Sequence, residues 1–298
     1  MEHNRGHKRP PRCGTAINTP IAILKGGNDM VIVKYELRQI RSLVVSWSIA
    51  LPLLLFLLLP NFISIVIGAD GSVKTDVVAS ISDNAFLQAV DMSAEFLSQP
   101  IGMYGFLTGW LFGIACAVIS TQIGLSVHTK EYIQKAADFL MTKPHSRAKI
   151  YLAKLMAVSI ATLAISISYF IASYIALSVF LSDGFDFALF ALLGGSVILI
   201  GVLYMALGVF MGVIAQRIHK TLLAAVTVVF ATLAIGQFAV AANLDLLIFL
   251  SPQKYFAGSF VASIGRYDMR YVVWLVFLVI AFLSAGYIIF RKKDIITT

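Results

Sequence analysis

The sequence predicts an all-α, polytopic membrane protein with six transmembrane helices, an N-terminal interfacial helix, a short amphipathic cytoplasmic helix and an extra external amphipathic helix. Three observations carry that prediction. The 298 residues are 59% hydrophobic and only 13% charged, with a mean hydropathy of +0.88. The apolar residues gather into six runs of about 20 residues or more, the length a helix needs to cross the hydrocarbon layer. The basic residues fall on one side: from Met30 on, fourteen Lys and Arg stand at one set of run ends, and only Lys74, Lys254, Arg266 and Arg270 at the other. Because Lys and Arg are retained in the cytoplasm, both termini are expected inside.

Composition also excludes several classes. A net charge of +8 invites a nucleic-acid reading, but orientation already accounts for most of the basic residues, so no nucleic-acid partner is expected. Cys13 and Cys116 offer no disulfide framework, since Cys116 lies inside an apolar run, and no zinc-ligand spacing is present.

Taken in order, residues 1–29 are polar, basic and rich in Pro and Gly. They lack the apolar core and cleavage site of a signal peptide. They read as a disordered or non-native extension. Lys25-Gly26-Gly27 can be encoded by a bacterial ribosome-binding sequence just upstream of the Met30 codon, so Met30 is the expected natural start, with a basic tail as the alternative. In 30–42, Val33, Leu37 and Ile40 recur at helical spacing while Lys34, Arg38 and Arg41 share another face, the pattern of an interfacial helix. The first span, 43–68, contains Pro52 and Pro60 and is expected to kink. In the acidic outer segment 70–99, Val78, Ile81, Ala85, Ala89, Met92 and Phe96 make an apolar face opposite Asn84, Gln88, Asp91 and Glu95, which predicts an amphipathic helix lying on the bundle or receiving a partner.

The second span, 101–127, places Gly105, Gly109 and Gly113 four residues apart, a spacing that lets helices approach closely. The loop that follows carries Lys130, Lys135, Lys143, Arg147, Lys149 and Lys154 against Glu131 and Asp138. Residues 130–142 lack Gly and Pro, and Glu131 precedes Lys135 by four, the favourable order for an ion pair. A short helix is predicted there, with Tyr132, Ala136, Phe139 and Leu140 on one face. Pro144 ends it, because a residue before proline is pushed out of the α region. The third span, 150–181, carries a polar stripe of Ser159, Thr162, Ser166, Tyr169 and Ser173, which faces protein or a cavity. It is a candidate translocation path, with interhelical hydrogen bonding as the alternative. The fourth span is 187–215, the fifth 221–249, and the sixth 271–290, closed by Arg291, Lys292 and Lys293. An external segment, 250–270, joins the last two.

What is missing narrows the chemistry. No ionisable residue lies deep in the predicted spans, and Lys154 and Asp245, near span ends, are expected to reach the interface. Ion-coupled carriers place such groups mid-membrane, although backbone carbonyls can also hold sodium. The sequence has no H-E-x-x-H, no G-x-S-x-G, no aspartate pair within the spans and no G-x-x-x-x-G-K-[ST]. No catalytic, metal or cofactor site is expected. If ATP drives this chain, another subunit hydrolyses it.

In this order, the features resemble the permease subunits of ATP-binding-cassette exporters of the second type. An interfacial helix precedes six spans with both ends inside. Glu131, Leu140, Pro144, Arg147 and Lys154 match the family's loop pattern of E, then L-x-x-x-P-x-x-R, then K. Leu250-Ser251-Pro252 with Tyr255-Phe256 and the ending Phe290-Arg291-Lys292-Lys293-Asp294 agree. The likeness covers about 30–295. The chain departs from the simplest members in its longer outer segment between spans one and two, which points to a subgroup with an extra external helix, and in lacking a Gly-Thr pair after Glu131. The resemblance implies that the helix in 130–142 is a coupling helix seated in a cleft of a separate cytoplasmic ATPase subunit. Glu131 and Arg147 would then position the loop, Phe139 and Leu140 would anchor it, and Pro144 would end it. It implies a second permease chain as partner, in a homodimer or heterodimer, and a bacterial cell membrane location. It further implies no cofactor bound by this chain, with ATP and magnesium held by the ATPase. The rival classes are a secondary carrier or channel acting without an ATPase, and a non-transporting membrane scaffold.

Overall fold

A backbone inside hydrocarbon has to satisfy its own hydrogen bonds, so long apolar runs become helices. The computed structural model describes residues 29–68, 74–82, 93–99, 101–133, 147–181, 184–215 and 218–292. Among them, six helices are long and apolar enough to cross a membrane. The first is α1 (Asp29–Val66), followed by the short helices α2 (Thr75–Ser82) and α3 (Ala94–Leu97). The second span joins α4 (Gly102–Leu107), a π-helical turn at Thr108–Phe112 and α5 (Gly113–Ile133). Spans three to five are α6 (Arg147–Phe180), α7 (Phe187–Ile214) and α8 (Thr221–Ala241). Then come α9 (Asp245–Ile248), a 3₁₀ turn at Pro252–Lys254 and α10 (Gly258–Ile264), which lead into the sixth span, α11 (Met269–Lys292).

The largest departures from the expected boundaries fall at the start of the first span and the end of the fifth. The interfacial helix is not a separate element: α1 runs through Ser42 without a break, 38 residues in all. No Gly or Pro stands between Met30 and Leu51 to stop it, so the expected boundary has no physical cause. The fifth span ends at Ala241 rather than at Phe249. Asn243 takes the left-handed conformation with φ 52°. Its N–H donates to Val240 O at 3.2 Å while that of Leu244 donates to Ala239 O at 2.9 Å. That pair of bonds is the Schellman stop, with asparagine in the place usually taken by glycine.

The 250–270 segment, expected outside the membrane, folds back against the bundle. Ser251, Tyr255, Phe256 and Val261 are all buried. The Tyr255 ring stacks on Tyr271 at 5.2 Å, and Phe256 meets Tyr267 edge-on at 4.9 Å. At the end of the 70–99 segment, Phe96 and Leu97 are buried against the bundle, Phe96 among the residues of the main core. Residues 83–92, the middle of the predicted amphipathic helix, lie outside the described residues.

α5 packs chiefly on α7, α1 on α6, and α11 on α7. Within their most apolar stretches, 61% of the second and fourth spans is buried inside the protein, against 11% of the sixth, so those two form the bundle's centre. Their crossing is made by glycines other than the predicted trio. A Cβ on Gly208 would lie 2.4 Å from Thr121 O, and one on Gly124 would lie 2.8 Å from Met205 O. No side chain fits there, and the two backbones touch. Of the trio, Gly105 is tightly packed, a Cβ there lying 2.4 Å from Phe96 Cζ and 3.1 Å from Leu193 Cδ1, whereas Gly109 has nothing within 4 Å of the corresponding position.

Candidate functional site: the base of the loop between the second and third spans

Glu36 lies on α1 between Val33 and Ile40, in register with the apolar face, and is 2% exposed. A buried carboxylate demands a partner. Two lysines provide one, each from a different end of the loop between the second and third spans. Lys130, on the last turns of α5, donates from Nζ to Glu36 Oε2 and to Gln39 Oε1. Lys154, on α6, is 1% exposed; its Nζ lies 3.6 Å from Glu36 Oε1 and donates to Val127 O at 2.8 Å. The expected exit of Lys154 to the interface does not occur, because the carboxylate and an α5 carbonyl reach it inside the protein. Glu36 thus ties the first span to both strands of chain that enter the loop.

Neighbouring contacts reinforce this base. His128 is buried, with Nδ1 3.1 Å from Gly124 O. If that nitrogen carries the proton, as donation to a carbonyl requires, Nε2 is the bare acceptor, and it has no partner. The His128 ring meets Tyr151 edge-on at 5.9 Å, and Tyr151 donates to Leu283 O at 2.9 Å. Tyr151 also packs on Tyr287 and Phe290. Second, third and sixth spans are therefore joined around one aromatic group. Arg147, which opens α6, donates from Nη1 to Arg291 O at 3.1 Å. A guanidinium at the last turn of α11 also suits the negative end of that helix's dipole.

The sequence-predicted residues divide. Arg147 belongs to the described base. Glu131 sits on the last turn of α5, a continuation of the second span rather than the start of a new helix, and its side chain lies outside the described residues. Phe139, Leu140 and Pro144 also lie outside them. The polar stripe on α6 turns into packed protein: Thr162, Ser166, Tyr169 and Ser173 are buried and Ser159 is half-buried. Tyr169 OH and Thr108 Oγ1 are 2.9 Å apart at the start of the π turn, and Ser166 Oγ is 3.4 Å from Cys116 Sγ. Tyr169 and Ser166 thus make interhelical polar contacts, whereas Ser173 donates to Tyr169 O on its own helix and the Thr162 hydroxyl has no partner. Glu36 was missed in the sequence, although its signal was there: an acid at position 36 falls three after Val33 and four before Ile40, inside the stripe that the apolar residues define.

Among the described residues no group of three or more His, Cys, Asp or Glu is placed to hold a metal ion. What the arrangement offers is mechanical: a loop whose two roots are pinned by buried charge to a third helix. These features define a multi-pass helical membrane protein in which the loop between the second and third spans has a fixed base. Residues 30–295 match the family model described as ABC-2 family transporter protein, and the chain belongs to that family. It is a membrane permease of a kind that does not itself hydrolyse ATP, and such permeases generally pair with ATPase subunits. Neither the curated proteins nor the solved structures gave a match.

Proposed function

We propose that this chain is the membrane-spanning subunit of an exporter, driven by ATP that a separate cytoplasmic ATPase subunit hydrolyses. Two permease chains work with two ATPases, in a bacterial cell membrane with both termini inside. ATP and magnesium sit in the ATPase, and this chain binds no cofactor. The single observation that carries the reading, beyond family membership, is Glu36 gripping Lys130 and Lys154. A loop needed only for orientation has no use for a buried carboxylate at its root. A loop that receives force does, because a displacement of residues 131–146 then moves α1, α5 and α6 together. ATP binding shifts the permease between inward- and outward-facing states to the extent that the ATPase holds the loop differently in each.

The test reconstitutes the chain with its candidate ATPase in sealed vesicles, supplies ATP on the loop side and adds ionophores that collapse proton and sodium gradients. Substrate should still leave the loop side. Transport abolished by the ionophores while ATP remains plentiful would replace this reading with that of an ion-coupled carrier.

A further inference from the structure

Near the expected outer end of the bundle, the turn after Ser251 meets the second and fifth spans at a cavity that the coupling reading does not use. Its walls include Gln237 on α8, Gln253 and Lys254 on the 3₁₀ turn, and Phe106, Gly109 and Trp110 on the second span. Its volume is about 30 Å³. A single water needs roughly 10–15 Å³ by the same kind of measure, so one small chemical group fits. The polar lining is neutral apart from Lys254, and it is underused. Gln253 is 8% exposed, and its Oε1 accepts from Tyr204 OH at 2.8 Å. Its Nε2 has no partner, and neither do Nε2 or Oε1 of Gln237, all of them enclosed.

Leaving an enclosed amide unpaired costs about 1–3 kcal/mol, so three such atoms on two lining side chains mark a place built for something to complete. Between them they present both donors and acceptors. A carboxylate leaves the acceptors unmet, an ammonium leaves the donors unmet, and either charge is penalised by desolvation in so small a space. A carboxamide or hydroxyl meets both. Phe106 and Trp110 supply an apolar, aromatic wall for the rest of the molecule.

We propose that this cavity binds an uncharged hydrogen-bonding group, a carboxamide or hydroxyl, carried on an aromatic or apolar body, and that the transported substrate has this character. The proposal rests on the transport reading only in taking the ligand to be the substrate. The site itself is tested without ATP or a partner. Radiolabelled benzamide is equilibrated by dialysis with the full chain in lipid nanodiscs and displaced by unlabelled benzamide, benzoate or benzylammonium, which share one ring and differ in head group. Benzamide should displace itself at a concentration at least about tenfold below that needed for either charged analogue, the factor expected from one lost hydrogen bond of about 1.4 kcal/mol. Gln237→Leu should weaken benzamide about tenfold while leaving the thermal midpoint unchanged or higher, because Gln237 makes no bond that the substitution loses. Gly109→Ala, which meets no atom within 4 Å, should narrow the cavity and also weaken binding without loss of fold. Equal displacement by all three compounds, preference for benzoate through Lys254, indifference to both substitutions, or no retained benzamide (a cavity holding water only) would each overturn the proposal. None of these outcomes touches the vesicle assay, which judges the transport reading by itself.

Discussion

Glu36 stands between two ammonium groups, one of them fully enclosed, and the physics of that position sets a large expected effect. Removing one member of a buried charge group strands the others and costs about 3–5 kcal/mol. Glu36→Gln should therefore lower the unfolding midpoint of the detergent-solubilised chain and uncouple ATP hydrolysis from transport in the assembled complex. Lys154→Met placed on top of it should restore part of the stability, since a buried apolar side chain then replaces a stranded charge. A double variant as unstable as the sum of the two singles would show that the groups do not interact. At this scale the sequence was half legible. The register of Glu36 could be read from Val33 and Ile40, but nothing in a linear chain says that position 36 meets positions 130 and 154. Without that partner, a lysine at a span end is reasonably expected to stretch toward water.

Among the helices, glycine spacing was a poorer guide than glycine surroundings. Gly105, Gly109 and Gly113 have the regular interval, yet the backbones of α5 and α7 touch at Gly124 and Gly208. Gly208→Ala should cost about 1–3 kcal/mol as an overpacked contact with an unyielding backbone oxygen. Gly109→Ala should be neutral or slightly stabilising, since it removes a flexible residue from a helix. Thermal unfolding of the two variants side by side decides this, and equal losses would contradict the crossing described. The six spans themselves were legible because length and apolarity leave a buried backbone few alternatives. The end of α8 was not, because residues 242–249 remain largely apolar and a single left-handed Asn243 makes the stop. Nor was the π turn at Thr108–Phe112, where Gly113 N–H bonds five residues back to Thr108 O; no residue type announces such a bulge, although they gather at functional positions.

For the molecule as a working unit, the proposed function makes the contact between loop and ATPase the decisive one. Phe139→Ala combined with Leu140→Ala should weaken co-purification of the two subunits by about 2 kcal/mol or more if these side chains are interface anchors, with membrane insertion retained. Undiminished association would remove them from that role. The length of α1 adds a mechanical consequence. At 1.5 Å per residue its 38 residues extend about 57 Å, and Ser168 Oγ donates to Ser48 O at 2.7 Å part-way along it. With that hydrogen bond as pivot, α1 would work as a lever. Its inner arm, from Ser48 to Glu36, is about 18 Å long, and its outer arm, from Ser48 to Val66, about 27 Å. A sideways push of about 1 Å at the buried carboxylate then swings the far tip by at most about 1.5 Å, less whatever the backbone hydrogen bonds missing at Pro52 and Pro60 absorb. The gain of the lever is thus set by where a serine hydroxyl places its fulcrum.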